Sequence, residues 1–361
     1  MKNKNILELC LSPDLGGLEL FMSSCIEHFS KKTNVYIAVA PNKKLDHLLN
    51  QETLFFLKRN KLFPIIPAIK LARYIDRNHI DLIHFHWTKD IATVVLAKVL
   101  STRKPQIVQS RHMSMTRFKD DFYHKWLYKN VDTMHAVTHQ VKAQLQKFIP
   151  SDIRPKIEVV HPGTKVPMIE VEKKEGLKEK YALKDSFVVG MVGRIEEAKG
   201  QYLLLEAMAD LKALNIKALI VGQAMKEEYL EALKTKTVAL GIEERVIFTG
   251  FTKEVNAHIQ LCNVTLLATP KETFGLVIIE SMANGVPVIA TNSGGPLEII
   301  DNGVDGFFFD RTKQDLVRKI RMFYEDTSLQ GNIAKDALKS VKEKFDYATQ
   351  LTKLYEVINE S

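Results

Sequence analysis

The sequence predicts an α/β protein built from two doubly wound domains, and three observations carry that prediction. Short β-branched runs alternate with stretches of helical period, the rhythm of βαβ units around a parallel sheet. The rhythm is interrupted once by a polar, charged stretch and then starts again. The chain also has 361 residues, more than one core usually organises, so two domains of roughly 150 to 200 residues are expected.

The first series opens with the strand NILELCL and a helix from about Gly17 to Lys31, and continues with NVYIAVA, DLIHFH, PQIVQS, DTMHAVT and KIEVV. After HPGTKVP comes MIEVEKKEGLKEKYALKD, where a shift in composition and two prolines place the boundary near residues 162 to 185. The second series is SFVVGMV, KALIVG, RVIFTG, NVTLLAT, VPVIAT and GFFF. Residues 312–361 read as helices, with Leu316, Ile320 and Phe323 on one face in a packing role. The expected division is 1–165, 166–340, and a C-terminal helix over 341–361 that packs back on the first domain.

Composition narrows the class. Hydrophobic residues make up 45% and charged residues 26%, the values of a soluble globular protein, which argues against disorder. The start MKNKNILELC runs into Glu8 with no small-residue cleavage site and reads as a strand, not a signal peptide. No run of about 18 apolar residues is present to span a bilayer. Cys10, Cys25 and Cys262 are scattered, show no metal spacing and fit a reducing cytoplasm.

Charge is unevenly spread. Residues 1–165 carry 26 Lys and Arg against 14 Asp and Glu, a net +12, while the remainder carries 25 against 29, a net −4. A basic first half suits nucleic acid, an anionic membrane surface or an acidic acceptor, and equally suits simple solubility.

Ligands of open α/β sheets bind beyond the C-terminal ends of the strands, so the loops there are where chemistry is expected. In SPDLGGLE, Gly16 and Gly17 lead into a helix, which fits either backbone approach to a phosphate or a tight turn. The loop lacks the GxGxxG spacing of a nicotinamide enzyme. In GRIEEAKG, Arg194 and Lys199 bracket a strand-to-helix loop, where they suit a diphosphate or a surface pairing with Glu196 or Glu197.

The stretch KETFGLVIIESMANGVPVIATNSGGPLEII is the most informative. Val and Ile would allow a hairpin around ESMANG. However, Leu276, Ile279, Met282 and Ala283 repeat at helical spacing and Gly285 makes a C-terminal stop, so the reading is loop, helix, strand. Glu272 then lies in the loop and Glu280 on the helix about two turns beyond it. Such a pair suits hydroxyls at two distances along one extended ligand, with the N–H groups of Phe274, Gly275 and Leu276 open at the helix start.

Among the histidines, His84 and His86 of HFH share one face of a strand but lack an apparent third metal ligand. His112, just after PQIVQ, stands where a structural, solvated or substrate-contacting histidine would stand. No Asp-x-Asp occurs to hold a divalent ion on a nucleotide diphosphate.

In this order, SPDLGGLE, GRIEEAKG and KETFGLVIIESMANGVPVIATNSGGPLEII resemble the retaining glycosyltransferases of family four over nearly the whole chain. The resemblance extends to bacterial cell-surface polysaccharide and lipopolysaccharide transferases. It implies a GT-B fold, two Rossmann-like domains facing each other across a cleft. Gly16 and Gly17 then match the glycine loop over the donor diphosphate, Arg194 and Lys199 the basic pair that stabilises it as it leaves, and Glu272 the acid on the donor sugar. Phe274, Gly275 and Leu276 match main-chain donors near the phosphates, Glu280 the acid that holds the ribose, and His112 a histidine at the donor sugar. Of these, His112, Arg194, Lys199 and Glu272 are the residues with catalytic roles.

The implied co-substrate is a nucleotide-diphosphate sugar, with a UDP-sugar expected, and the implied acceptor is a glycan or a lipid-linked one. No cofactor, metal or nucleic acid is expected. The expected location is the cytoplasm, with peripheral binding to the inner face of the cell membrane as an extension. The segment KRNKLFPIIPAIKLARYIDR, with Lys58, Arg59, Lys61, Lys70 and Arg73, is the candidate docking element; an ordinary core-facing helix is the alternative. The rival functions are a nucleotide-sugar epimerase or phosphorylase of the same fold, and a nucleic-acid-binding protein.

Overall fold

The computed structural model describes residues 4–13, 16–41, 45, 49, 54–60, 64–168 and 170–360. The chain divides into two compact units, residues 1–163 with 347–361, and residues 164–346.

In the first unit, β1 (Ile6–Cys10), β2 (Val35–Val39), β3 (Leu54–Phe56), β4 (Leu82–Phe85), β5 (Gln106–Arg111), β6 (Thr133–Ala136) and β7 (Lys156–Val159) form one sheet in the order β3-β2-β1-β4-β5-β6-β7. Every pairing is parallel. In the second unit, β8 (Phe187–Val192), β9 (Ile216–Val221), β10 (Val246–Gly250), β11 (Val264–Leu267), β12 (Val288–Thr291) and β13 (Phe307–Phe309) form a parallel sheet in the order β10-β9-β8-β11-β12-β13. Both orders run outward in two directions from a central strand, the doubly wound arrangement expected from the repeating β-branched runs. The strand order reverses between β1 and β4 in one unit and between β8 and β11 in the other. In open α/β sheets ligands bind outside the C-terminal ends of the strands at such reversals.

One strand escaped the sequence reading. β3 has only three residues, and it pairs with β2 through Ile37 and Leu54 at the sheet edge. Three residues are too few to show a period. The first helix ends at Phe29, two residues short of the expected end, where Ser30 closes it by donating its N–H to the Ile26 carbonyl.

Fully buried β-strands explain the continuous apolar runs: β1, for example, is buried at all five positions. The residue that breaks its apolar run is Glu8, which is also fully buried. The helix Tyr347–Asn359 belongs to the first unit and packs Leu351, Leu354 and Ile358 against Ile6, Cys25 and Phe29. Burying an aliphatic side chain contributes about 1.5–3 kcal/mol, so these three hold the chain's end in place. The second unit runs through the helix Thr327–Lys344, within which the sequence-drawn bound at residue 340 falls. Leu316, Ile320 and Phe323 are fully buried on one face of the helix Lys313–Glu325.

The stretch from 271 onward is loop, helix and strand. Leu276–Ala283 is helical, and Gly285 at φ 67° follows it. The Gly285 N–H donates to the Met282 carbonyl and the Val286 N–H to the Ser281 carbonyl, a left-handed cap that turns the chain into β12. A hairpin would have left these carbonyls without donors.

Candidate active site

In the second unit the loops that follow β8 and β11 flank the strand-order reversal, and they carry Arg194, Lys199 and Glu272. The loop after β8 is held by its backbone. The Ile195 N–H donates to the Gln223 carbonyl, the Gln201 side-chain amide donates to the Arg194 carbonyl, and the Met225 N–H donates to the Ile195 carbonyl. The approach is so close that a Cβ on Gly222 would lie 1.9 Å from the Gly193 carbonyl oxygen. Only glycine fits there.

Lys199 ends the short turn Glu197–Lys199, just before the helix Gln201–Asp210. Its Nζ lies 3.0 Å from Glu272 Oε2, with both side chains mostly buried, at 25% and 19% exposure. Glu272 Oε1 also accepts from the Thr273 N–H at 3.2 Å. Arg194 is 59% exposed and pairs with Glu196 at 3.2 Å. Its guanidinium is thus held only at the rim, where an exposed pair contributes little and exchanges readily for a stronger anion.

Glu280 stands four residues into the helix that starts at Leu276, a rise of about 6 Å along its axis. Its carboxylate has no partner among the described residues, and burial pushes its pKa above the ordinary value. The first helical N–H groups, at Leu276 and Val277, have no intrahelical acceptor. Gly275, at φ 101°, precedes them in a conformation that favours glycine, and Phe274 beside it is buried.

The loop after β12 completes this edge. The Gly295 N–H donates to the Glu272 carbonyl at 2.9 Å, and the Ser293 hydroxyl donates to the Pro270 carbonyl at 2.7 Å. A Cβ on Gly295 would lie 2.3 Å from Phe274 Cα. Gly222 and Gly295 therefore shape the site, although the sequence reading assigned neither. The Gly-Gly pair in NSGGPLE was the available signal.

In the first unit, the Gly16 N–H donates to Glu19 Oε2 at 2.8 Å. The acid three residues on thus takes one of the loop's N–H groups, as in a capped strand-to-helix turn. Asp14 and Leu15 of the same loop lie outside the described residues.

His112 directly follows β5 and is half-buried, with Nε2 at 3.4 Å from His86 Nδ1. Burial, then the neighbouring His86, lowers its pKa well below the ordinary histidine value, so it is neutral. His86 and His84 face Glu8, which accepts from His84 Nδ1 at 2.8 Å and from His86 Nε2 at 2.7 Å. Cys25 offers a third ligand atom within 4.8 Å of these histidines, which the sequence did not suggest. Burial pushes its thiol well above the ordinary value, and Glu8 already occupies one nitrogen of each ring. This is a hydrogen-bonded core, not a set of open metal ligands.

On the helix Ile65–Arg77, Ala68, Leu71, Ala72 and Ile75 are buried, as in an ordinary core-facing helix, while Ile65, Ile66 and Ile69 are exposed beside exposed Lys70 and Arg73. Arg59 is tied down, stacked 4.8 Å from the Trp87 ring with Nε 4.0 Å from Asp90 Oδ1. Lys61 lies outside the described residues. Among the described residues no helix is long and apolar enough to cross a membrane.

Comparison with known proteins agrees with this architecture. A family model described as glycosyl transferases group 1 matches residues 173–340, and one described as glycosyltransferase family 4 matches residues 15–166. The chain is 32% identical over 174 residues to the capsular polysaccharide biosynthesis glycosyltransferase CapM of Staphylococcus aureus, a match that spans 47% of this chain and 45% of that one. It is 26% identical over 308 residues to the N-acetyl-alpha-D-glucosaminyl L-malate synthase of Bacillus anthracis, covering 82% of this chain and 78% of that one. The crystal structure of Anabaena Alr3699/HepE in complex with UDP and glucose superposes with a TM-score of 0.87 at 22% identity, covering 99% of this chain and 100% of that one. That likeness shows the GT-B fold.

Proposed function

Because the chain belongs to the glycosyltransferases, with the group 1 and family 4 models matching most of it, we propose that it is a retaining enzyme that moves a hexosyl or N-acetylhexosaminyl group from a nucleotide-diphosphate sugar to a hydroxyl. The observation that carries the donor assignment is what stands at the strand-order reversal between the ends of β8 and β11. There Lys199 and Glu272 meet at 3.0 Å, and Glu280, one helical turn past the start of the helix that follows, holds a carboxylate without a partner among the described residues.

The chemistry follows from charge. A departing nucleoside diphosphate develops negative charge, which Arg194, Lys199 and the N–H groups at Leu276 and Val277 would neutralise. Lys199 exchanges Glu272 for phosphate as the donor binds. Glu272, so released, accepts hydrogen bonds from sugar hydroxyls, and Glu280 accepts from the ribose diol. Two fixed positive charges suit a metal-independent reaction. The acceptor hydroxyl attacks from the face that the diphosphate leaves, and a phosphate oxygen takes its proton, which gives retention without a side-chain base. His112 contacts the donor sugar and Gly17 the diphosphate, roles carried by the family resemblance.

A UDP-sugar is the preferred donor, supported by the UDP-bound crystal structure of a protein of the same fold. A glycan acceptor in cell-surface polysaccharide assembly is supported by the name of the capsular relative; a lipid-linked acceptor and a cytoplasmic setting rest on the family resemblance. The family match argues against the epimerase reading. Incubation with a panel of nucleotide sugars and detection of released UDP tests the assignment. An epimerised nucleotide sugar formed without acceptor, or no turnover of any donor, contradicts it.

Docking on an anionic membrane is a second element of the proposal. It is favoured by exposed Ile65, Ile66 and Ile69 beside Lys70 and Arg73, an apolar strip edged by cations. Each basic residue near such a surface contributes about 1 kcal/mol.

A further inference from the structure

Across the first unit's sheet runs a row of buried polar side chains that the reaction above does not use. Glu8 of β1 accepts from His84 and His86, His84 Nε2 lies 2.7 Å from Ser110 Oγ, and Ser110 Oγ lies 2.7 Å from His135 Nδ1. His135 Nε2 lies 2.7 Å from the Val160 carbonyl oxygen. Glu8, His84, Ser110 and His135 are fully buried and His86 nearly so. Phe21 closes the row against water, with its ring edge-on to His86 and His112 and stacked on His135.

With His86 and His135 neutral, as burial makes them, the hydrogen bonds of the row take one self-consistent set of directions. A carbonyl can only accept, so His135 carries its proton on Nε2. Burial holds the His135 pKa near 3, which leaves Nδ1 bare, so Ser110 donates to it. The single Ser110 proton is then used, and Ser110 Oγ accepts from a proton on His84 Nε2. Burial by itself would raise the Glu8 pKa, but His84 and His86 hold it at about 2, and Glu8 is a carboxylate that only accepts. His86, held neutral by burial at about 4, has its one proton on Nε2 and a bare Nδ1. A hydrogen bond across the 3.4 Å to His112 then requires the proton on His112 Nε2.

We propose that Glu8, acting through His86, is a positioning residue that holds His112 in the Nε2–H form, so that His112 offers a hydrogen-bond acceptor, Nδ1, to the donor sugar. The group that His112 reads is then a hydroxyl or amide N–H that gives a proton; a deoxy carbon, an ether or a carboxylate there is rejected. This rests on the reading above that His112 meets the donor sugar. The direction of the bond is set by the buried Glu8 of β1, which accepts from the other nitrogen of His86.

The test is nitrogen NMR of the ¹⁵N-histidine-labelled full chain, which reports the protonated nitrogen of each ring. Wild-type His112 is expected as Nε2–H throughout the neutral range. His86→Phe removes the acceptor and should yield a mixture of His112 tautomers, with kcat/KM reduced about tenfold, mainly through KM. Glu8→Leu removes the acceptor of His86 Nε2–H and should release the His112 tautomer as His86→Phe does, whereas Glu8→Gln, whose amide oxygen still accepts from His86 Nε2, should restore the Nε2–H form. If His86→Phe fails to fold, the Glu8→Leu and Glu8→Gln spectra decide together. A wild-type His112 protonated on Nδ1, or a folded Glu8→Leu protein whose His112 stays wholly Nε2–H, overturns the inference. An Nε2–H His112 whose replacement by Ala leaves KM and kcat unchanged with UDP-glucose, UDP-galactose and UDP-N-acetylglucosamine overturns instead the reading on which it rests.

Discussion

Lys199 Nζ lies 3.0 Å from Glu272 Oε2, although 73 residues separate them in the chain. The pair joins the loop after β8 to the loop after β11, and both partners keep a minor part of their surface exposed. An ion pair at this depth stabilises the fold by little, about 1 kcal/mol or less after solvent screening. Its position at the strand-order reversal gives it a ligand-binding role instead. Lys199→Ala should therefore cut transfer by about 10²- to 10³-fold and change the melting temperature little. Steady-state kinetics beside a thermal melt check this, and a variant with near-normal turnover would remove Lys199 from the site.

Glu280 links stability to binding in opposite directions. Burial raises its folded pKa above the ordinary 4.5. For an acid shifted upward, the stabilising contribution is complete below the unfolded value and is lost as pH rises through the folded one. Glu280→Gln should then melt higher than wild type at neutral pH, with the difference closing as pH falls toward 4.5. The same substitution should weaken nucleotide binding by about 1.5–3 kcal/mol, the loss of a charged hydrogen-bond acceptor. Calorimetric melts over a pH series and UDP titration read the two effects separately.

Gly295→Ala tests the close approach of two backbones. The added Cβ would lie 2.3 Å from Phe274 Cα and 2.4 Å from the Phe274 carbonyl oxygen, neither of which can swing aside. The loop carrying Glu272 must move, and a loss of about 1–3 kcal/mol in stability is expected together with a raised KM for the nucleotide sugar. Unchanged KM would show that Glu272 tolerates the shift.

Acid should weaken the first unit. Glu8, His86 and His135 all have folded pKa values depressed below their ordinary ones, at about 2, 4 and 3. Groups shifted in this direction contribute stability above their unfolded values and lose it as pH falls toward the folded ones. The melting temperature should decline from pH 6.5, the ordinary histidine value, downward. A profile that stays flat to pH 4 would contradict the neutral assignment of these histidines.

Ile66→Ser with Lys70→Ser tests the membrane element. The wild-type chain should co-sediment with vesicles of phosphatidylglycerol and phosphatidylcholine but not with phosphatidylcholine alone, and the double variant should lose most of that binding. Equal sedimentation with both vesicle types would refute it.

The sequence by itself determined the two sheets, because strands of parallel sheets are written as short β-branched and apolar runs set between helical stretches, and twelve such runs are written plainly. It also placed Arg194, Lys199, Glu272 and Glu280 on loops or helix starts beside strand ends, since turn glycines and helical spacing are local signals. Tertiary structure alone decided which of these meet. Lys199 reaches Glu272 because β8 and β11 are neighbours, whereas Arg194 turns to the nearby Glu196. The same holds for the buried row. Glu8 stands opposite His84, and Ser110 opposite His135, through the register of parallel strands that are far apart in the chain. A lone acid in an apolar strand carries no local sign of its partner; only the pairing of strands brings the histidines that keep Glu8 charged.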